Sequence, residues 1–227
     1  MDSHLNVGLA QYLNDRDPAI IVGEAKNAVA EIVLFPEMFS HGHACFDTRD
    51  STARERWLKA AQSPNGSFVE RCREAARTYQ TYVVATFLEA ADPKPFNSAL
   101  LIGRNGHTIL RHRKVCICDF DSPEIACGRG KEFSVAEIET AVGSVKPGLM
   151  ICMDVSIQRP QDRSLAPAPK LPWCRIAVLL SRMTLWAMFE SPKRVAEHLR
   201  RSSLSPWRII LHRAVTAIPL LSTQRVR

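Results

Sequence analysis

The chain has 227 residues, 46% hydrophobic and 23% charged, enough for one sizeable domain with a proper core. No apolar run is long enough to cross a bilayer, and the opening residues lack the basic and apolar regions of a secretion signal. The expectation is therefore a globular protein with neither. Seven cysteines without a repeating framework read as reduced thiols of a cytoplasmic protein.

The formal net charge of +7 conceals a division. Residues 1–154 hold 17 Lys+Arg against 20 Asp+Glu, whereas residues 155–227 hold 13 against 3. The second segment has none of the ten glycines, seven of the 14 prolines and three of the four tryptophans. Two composition regimes meet at Asp154.

In chain order, residues 7–12 read as a first strand, and a polar turn through Asp15 and Pro18 follows. Residues 19–30 suit a short helix. Residues 31–37 form an apolar strand stopped by Pro36 and ending on Glu37, with a loop beyond it containing His41 and His43. Those two histidines are read either as loop polarity or as pocket residues. Residues 67–80 have the period of an amphipathic helix, with Phe68, Cys72, Ala75 and Ala76 on the apolar side. A β-branched strand follows at 82–87. Residues 96–102 and 107–112 pair as a hairpin around Gly103-Arg104-Asn105-Gly106, which delivers Lys114 to its far end. A second hairpin, over 132–139 and 143–147, leads into the apolar run that ends on Cys152. Alternating strands and helices followed by hairpins define an α/β class with a mixed sheet.

Three strand ends thus offer a carboxylate, an ammonium and a thiol. A nucleophile, a proton acceptor and a positive group for an oxyanion are the parts that acyl transfer requires. Taken singly, Glu37 and Lys114 read as exposed strand-end charges, and Cys152 as a small buried hydrophobe. Cys116, Cys118 and Cys127 lack the second spaced pair of a zinc site.

The words Leu34-Phe35-Pro36-Glu37, His112-Arg113-Lys114-Val115 and Gly148-Leu149-Met150-Ile151-Cys152-Met153-Asp154 carry more in combination. In this order and at strand ends, they resemble the carbon–nitrogen hydrolase, or nitrilase, superfamily. The likeness runs from residue 6 to residue 154. It implies an αββα four-layer sandwich, incomplete after residue 154. It also implies a Cys152 nucleophile, Glu37 as proton acceptor, and Lys114 with the backbone N–H of Met153 as the oxyanion site. Glu124 falls where many members keep a second acid that orients the lysine. The implied substrate is a small amide, N-carbamoyl compound or nitrile, hydrolysed through a cysteine thioester without metal or organic cofactor. An intact member is expected to be a homo-oligomer. The helix between Asp17 and Glu31 is shorter than the resemblance leads one to expect.

After Cys-x-Asp, members of that superfamily continue Arg-Glu-aromatic-Pro-Glu, whereas this chain reads Val155-Ser156-Ile157-Gln158-Arg159. Residues 155–164 can be encoded by codons that regroup once a single cytosine is restored ahead of them. They then read Arg-Glu-Tyr-Pro-Glu-Ala-Ala-Arg-Ser-Leu. Parts of 168–176 and 206–210 regroup into family-like words in the same shifted frame. The expectation is that residues 155–227 are out-of-frame sequence and that the chain as it stands is poorly folded or inactive. The alternative is a non-catalytic interaction protein whose basic tail, with Trp173, Trp186 and Trp207, binds nucleic acid or an acidic partner.

Overall fold

Alternation along the apolar strands decides the layers. The computed structural model describes residues 5–10, 12, 14–41, 49–118 and 123–154, and the backbone of 176–180. Five strands form one mixed sheet: β1 (Val7–Leu9), β2 (Ile32–Leu34), β3 (Tyr82–Glu89), β4 (Phe96–Ile102) and β5 (Thr108–Arg113). They lie in sequence order, with β1, β2 and β3 parallel and β4 and β5 antiparallel to their neighbours.

One face of this sheet carries Val33, Phe35, Val83, Ala85, Phe87, Leu100 and Ile102. It packs on Ile21 and Val22 of α1 (Pro18–Asn27) and on Val69, Cys72, Ala75 and Ala76 of α3 (Ser67–Tyr79). The opposite face carries Ile32, Leu34, Tyr82, Val84, Ala99, Leu101 and Leu110. It is covered by Ile138 of β6 (Ile138–Thr140), Val145 of β7 (Gly143–Val145), and Leu149 and Ile151 of β8 (Pro147–Ile151). Period-2 burial on both faces makes the sheet an inner layer. Helices, the five-stranded sheet, and a third layer formed by the β6–β7 pair with β8 give three successive layers among the described residues.

The element boundaries follow local chemistry. Asp17 caps α1 by accepting from the Ala19 N–H at 2.9 Å, with Pro18 in the first turn. The strand expected at 31–37 narrows to β2, because Pro36 has no N–H to continue the ladder. Glu37 therefore sits on the turn beyond the strand. A helix that sequence reading did not find, α2 (Ser51–Lys59), starts at Asp50, which accepts from Thr52 and Ala53 at 2.9 and 3.0 Å. The hairpin between β4 and β5 turns at Gly106, whose φ of +81° suits glycine.

The β6–β7 pair is antiparallel, as the second hairpin required. Beyond it, β8 pairs in parallel with the backbone of β9 (Ile176–Leu180), an apolar run in the basic segment where no strand was expected. The rest of residues 155–227, including Trp173, Trp186 and Trp207, and also His43, lie outside the described residues. Among the described residues no helix is long and apolar enough to cross a membrane.

Candidate active site

Successive residues at the end of β5 point to different partners, and this divides their work. His112 is buried and its Nε2 lies 2.8 Å from Asp154 Oδ2. Arg113 turns the other way, donating to the buried Glu89 at 2.6 and 3.2 Å and stacking over the Phe96 ring at 3.8 Å. Ser98 and Arg111 also donate to Glu89, so that carboxylate is satisfied away from Lys114.

Lys114 is 1% exposed and reaches two carboxylates that are as deeply buried, Glu37 at 4% and Glu124 at 1%. Its Nζ donates to Glu37 Oε1 at 2.8 Å and lies 2.7 Å from both oxygens of Glu124. The exposed strand-end reading of Glu37 and Lys114 is thereby excluded. Sequence reading missed the fourth member, Asn97 of β4. Its Nδ2 donates to Glu37 Oε1 and Glu124 Oε1, each at 2.7 Å. A polar pair, Asn97-Ser98, inside an otherwise apolar strand was the available signal.

The turn that carries Glu37 is held from β3. Thr86 Oγ1 donates to the Pro36 carbonyl and accepts from the Phe39 N–H at 3.3 Å, while the Ser40 N–H reaches the Thr86 carbonyl at 3.2 Å. Glu124 sits on a short 3-10 turn (Pro123–Ala126), and its Oε2 accepts from the Cys118 N–H at 3.2 Å. His41 lies edge-on to the Trp57 ring at 5.9 Å, with Nδ1 3.3 Å from Ser40 Oγ.

One ammonium between two buried carboxylates cannot neutralise both. Burial pushes the Glu37 carboxyl up to about 7, against the opposing pull of Lys114, with the neighbouring Glu124 adding to the rise. Burial acts on Glu124 in the same sense, but its hydrogen bond to Glu37, the charge of Lys114 and the Cys118 N–H together hold it below the ordinary range. Lys114 is disfavoured by burial, yet the two carboxylates more than restore its charge and raise its pKa. The asymmetry is chemical. Glu124 keeps the lysine as its ion-pair partner, and Glu37 is the carboxyl that burial raises toward neutrality.

Cys152 follows β8 directly and sits at φ +48°, in the left-handed region. A non-glycine residue there costs about 1–2 kcal/mol, so the surroundings must hold it. Its side chain packs at the border of the apolar layer between the sheets. The Cys118 thiol lies 3.9 Å from Lys114 Nζ, and charge on Cys152 opposes its ionisation. Burial is the main reason that the Cys118 thiol is pushed up to about 12, and Cys127 behaves alike. Met153, the next residue, is exposed. No three or more His, Cys, Asp or Glu groups are arranged to hold a metal ion among the described residues.

The model of the carbon–nitrogen hydrolase family matches residues 16–159, more than half of the chain. The chain belongs to the carbon–nitrogen hydrolase family. Among curated relatives, it is 26% identical over 144 residues to nitrilase homolog 2 of Dictyostelium discoideum, covering 59% of this chain and 40% of that protein. It is 30% identical over 135 residues to a nitrilase of Pyrococcus abyssi, covering 59% and 47%. The chain thus spans less than half the length of these relatives. A crystallised amidase from Nesterenkonia sp. superposes with a TM-score of 0.55 at 17% identity, over 80% of this chain and 66% of that one. That likeness carries the fold: an α/β domain of the nitrilase type. In this family setting the Glu37–Lys114–Glu124 cluster and the Cys152 turn lie within the matched segment.

Proposed function

We propose that the chain carries the catalytic half-site of a hydrolase acting on non-peptide carbon–nitrogen bonds through a Cys152 thioester. The observation that carries this reading is the unequal sharing of Lys114. It leaves Glu37 as a buried carboxyl that titrates at about 7, where a general base is most effective.

Glu37 takes the Cys152 thiol proton as sulfur attacks the carbonyl carbon of a small amide or N-carbamoyl compound. The carbonyl electrons move to oxygen, and Lys114 with the Met153 backbone N–H stabilises the resulting oxyanion. Collapse breaks the C–N bond, and the departing amine takes the proton from Glu37. Water, deprotonated by Glu37, then attacks the thioester, and the acid leaves as the thiol is re-formed. With a nitrile, the same attack gives a thioimidate. Glu124 and Asn97 keep Lys114 and Glu37 in place throughout. No metal or organic cofactor takes part in this scheme, and the assembly proposed for the intact enzyme is a cytoplasmic homo-oligomer.

The test is turnover of a panel of aliphatic amides, N-carbamoyl amino acids and nitriles, followed by ammonia release, by the protein with the frame restored after codon 154. Cys152→Ala is expected to abolish it, and mass spectrometry of a slow substrate is expected to show an acyl adduct on Cys152. Turnover that survives Cys152→Ala would sink the reading.

A further inference from the structure

The site as described leaves unexplained what holds Cys152 in its left-handed turn and against the lysine end of β5. Asp154 is 0% exposed, and both of its oxygens are fully engaged. Oδ1 accepts the N–H groups of Val115 and Cys116, the two residues after Lys114, at 3.0 and 2.8 Å. Oδ2 accepts the N–H of Ile151, the residue before Cys152, at 2.9 Å and faces His112 Nε2 at 2.8 Å. His112 is fixed in turn by stacking on Phe133, with ring centroids 5.3 Å apart. One buried carboxylate therefore gathers backbone donors from both sides of the site.

We propose that Asp154, oriented by His112, is a positioning residue that fastens the Cys152 turn to the Lys114 strand end. Its bond to the Ile151 N–H closes the turn over Cys152 and offsets the cost of the positive φ. Its bonds to Val115 and Cys116 fix where the chain leaves Lys114. Neither role involves contact with substrate. Unlike a residue that only supports the core, Asp154 controls the place of one thiol relative to one ammonium.

This inference rests on the proposed thiol chemistry, so its test reads the thiol directly and turnover separately. The full chain is labelled with iodoacetamide, and the rate at each cysteine is followed by peptide mass spectrometry. In Asp154→Asn the amide oxygen still serves Val115 and Cys116, but the amide nitrogen meets the Ile151 N–H, donor against donor. The alkylation rate at Cys152 is expected to fall about ten-fold or more, the cost of an unpaired buried donor. The buried Cys72 and Cys127 are expected to stay protected. Two results overturn the proposal: an unchanged Cys152 rate in Asp154→Asn, or equal loss of protection at Cys72 and Cys127, which marks general loosening. If the Cys152 rate depends on Asp154 while neither this chain nor its frame-restored form turns over an amide, positioning stands and the hydrolase reading fails. If amides are turned over and the variant is indifferent, the reverse holds.

Discussion

With a single ammonium shared between two carboxylates, the proposed mechanism turns on the protonation of Glu37. Because the thiol proton must go to an ionised Glu37, kcat/KM is expected to rise as pH increases through about 7, and Glu37→Gln to abolish turnover. Stability moves the opposite way. Burial raises the folded pKa of Glu37 from 4.5 to about 7, so its contribution is fully present below about 4.5 and is lost as pH rises through 7. Urea unfolding of the parent and Glu37→Gln at pH 5 and pH 8 checks this: the parent should lose stability relative to the variant at the higher pH. Lys114→Met removes the cation and leaves two carboxylates buried together, at a cost of about 3–5 kcal/mol by the same measurement. An unchanged unfolding midpoint would exclude the buried ion cluster. Glu37, Lys114 and Cys152 were proposed from short words at strand ends, and Glu124 only from the resemblance. Which carboxylate would titrate was not legible, because it depends on Glu124 approaching with both oxygens and Glu37 with one. Asn97 was equally hidden, since an asparagine inside a strand has no signature until its two neighbours are known.

At the scale of elements, the apolar alternation of β3 and β4 and the Asn105-Gly106 turn made the central hairpin and its neighbours readable in advance. Helix α2 was not, because eight of its nine residues are incompletely buried, and only Trp57 is buried, with Leu58 packed partly against the same cluster. Its start depends on the Asp50 cap rather than on a period. The placement of Lys114 also depends on an element with no periodicity at all. The Gly130 N–H donates to the Lys114 carbonyl at 2.8 Å, and a Cβ on Gly130 would lie 1.9 Å from the Arg113 carbonyl oxygen. Gly130→Ala is therefore expected to push the end of β5 away from its partners, although no polar group is removed. Destabilisation of about 1–3 kcal/mol is expected from such overpacking, with a matching loss of turnover. Parental stability and turnover in this variant, measured by denaturant unfolding and ammonia release, would show that the 128–130 loop does not hold the lysine.

For the whole molecule, the composition break at Asp154 coincides with the end of the family words, and the family match stops five residues later, at 159. An inner sheet of this kind is stable only with both faces covered. Its helical face is covered by α1 and α3, while its second face depends on β6, β7 and β8, whose own outer side needs a further layer. We propose that the reading frame shifts just after codon 154 and that the covering layer is encoded in the other frame. The backbone of β9 pairs with that of β8, and backbone pairing is a contact that any extended segment can make. Sequencing the gene across codon 154 and expressing both frames decides the matter. The restored frame is expected to give a soluble, monodisperse hydrolase that Cys152→Ala inactivates, whereas the chain as it stands is expected to aggregate or to lack turnover. If the DNA confirms a single frame and the 227-residue chain hydrolyses amides as a well-behaved species, the basic segment is a genuine part of the fold. Salt-sensitive binding of nucleic acid by residues 155–227 would then become the measurement of interest.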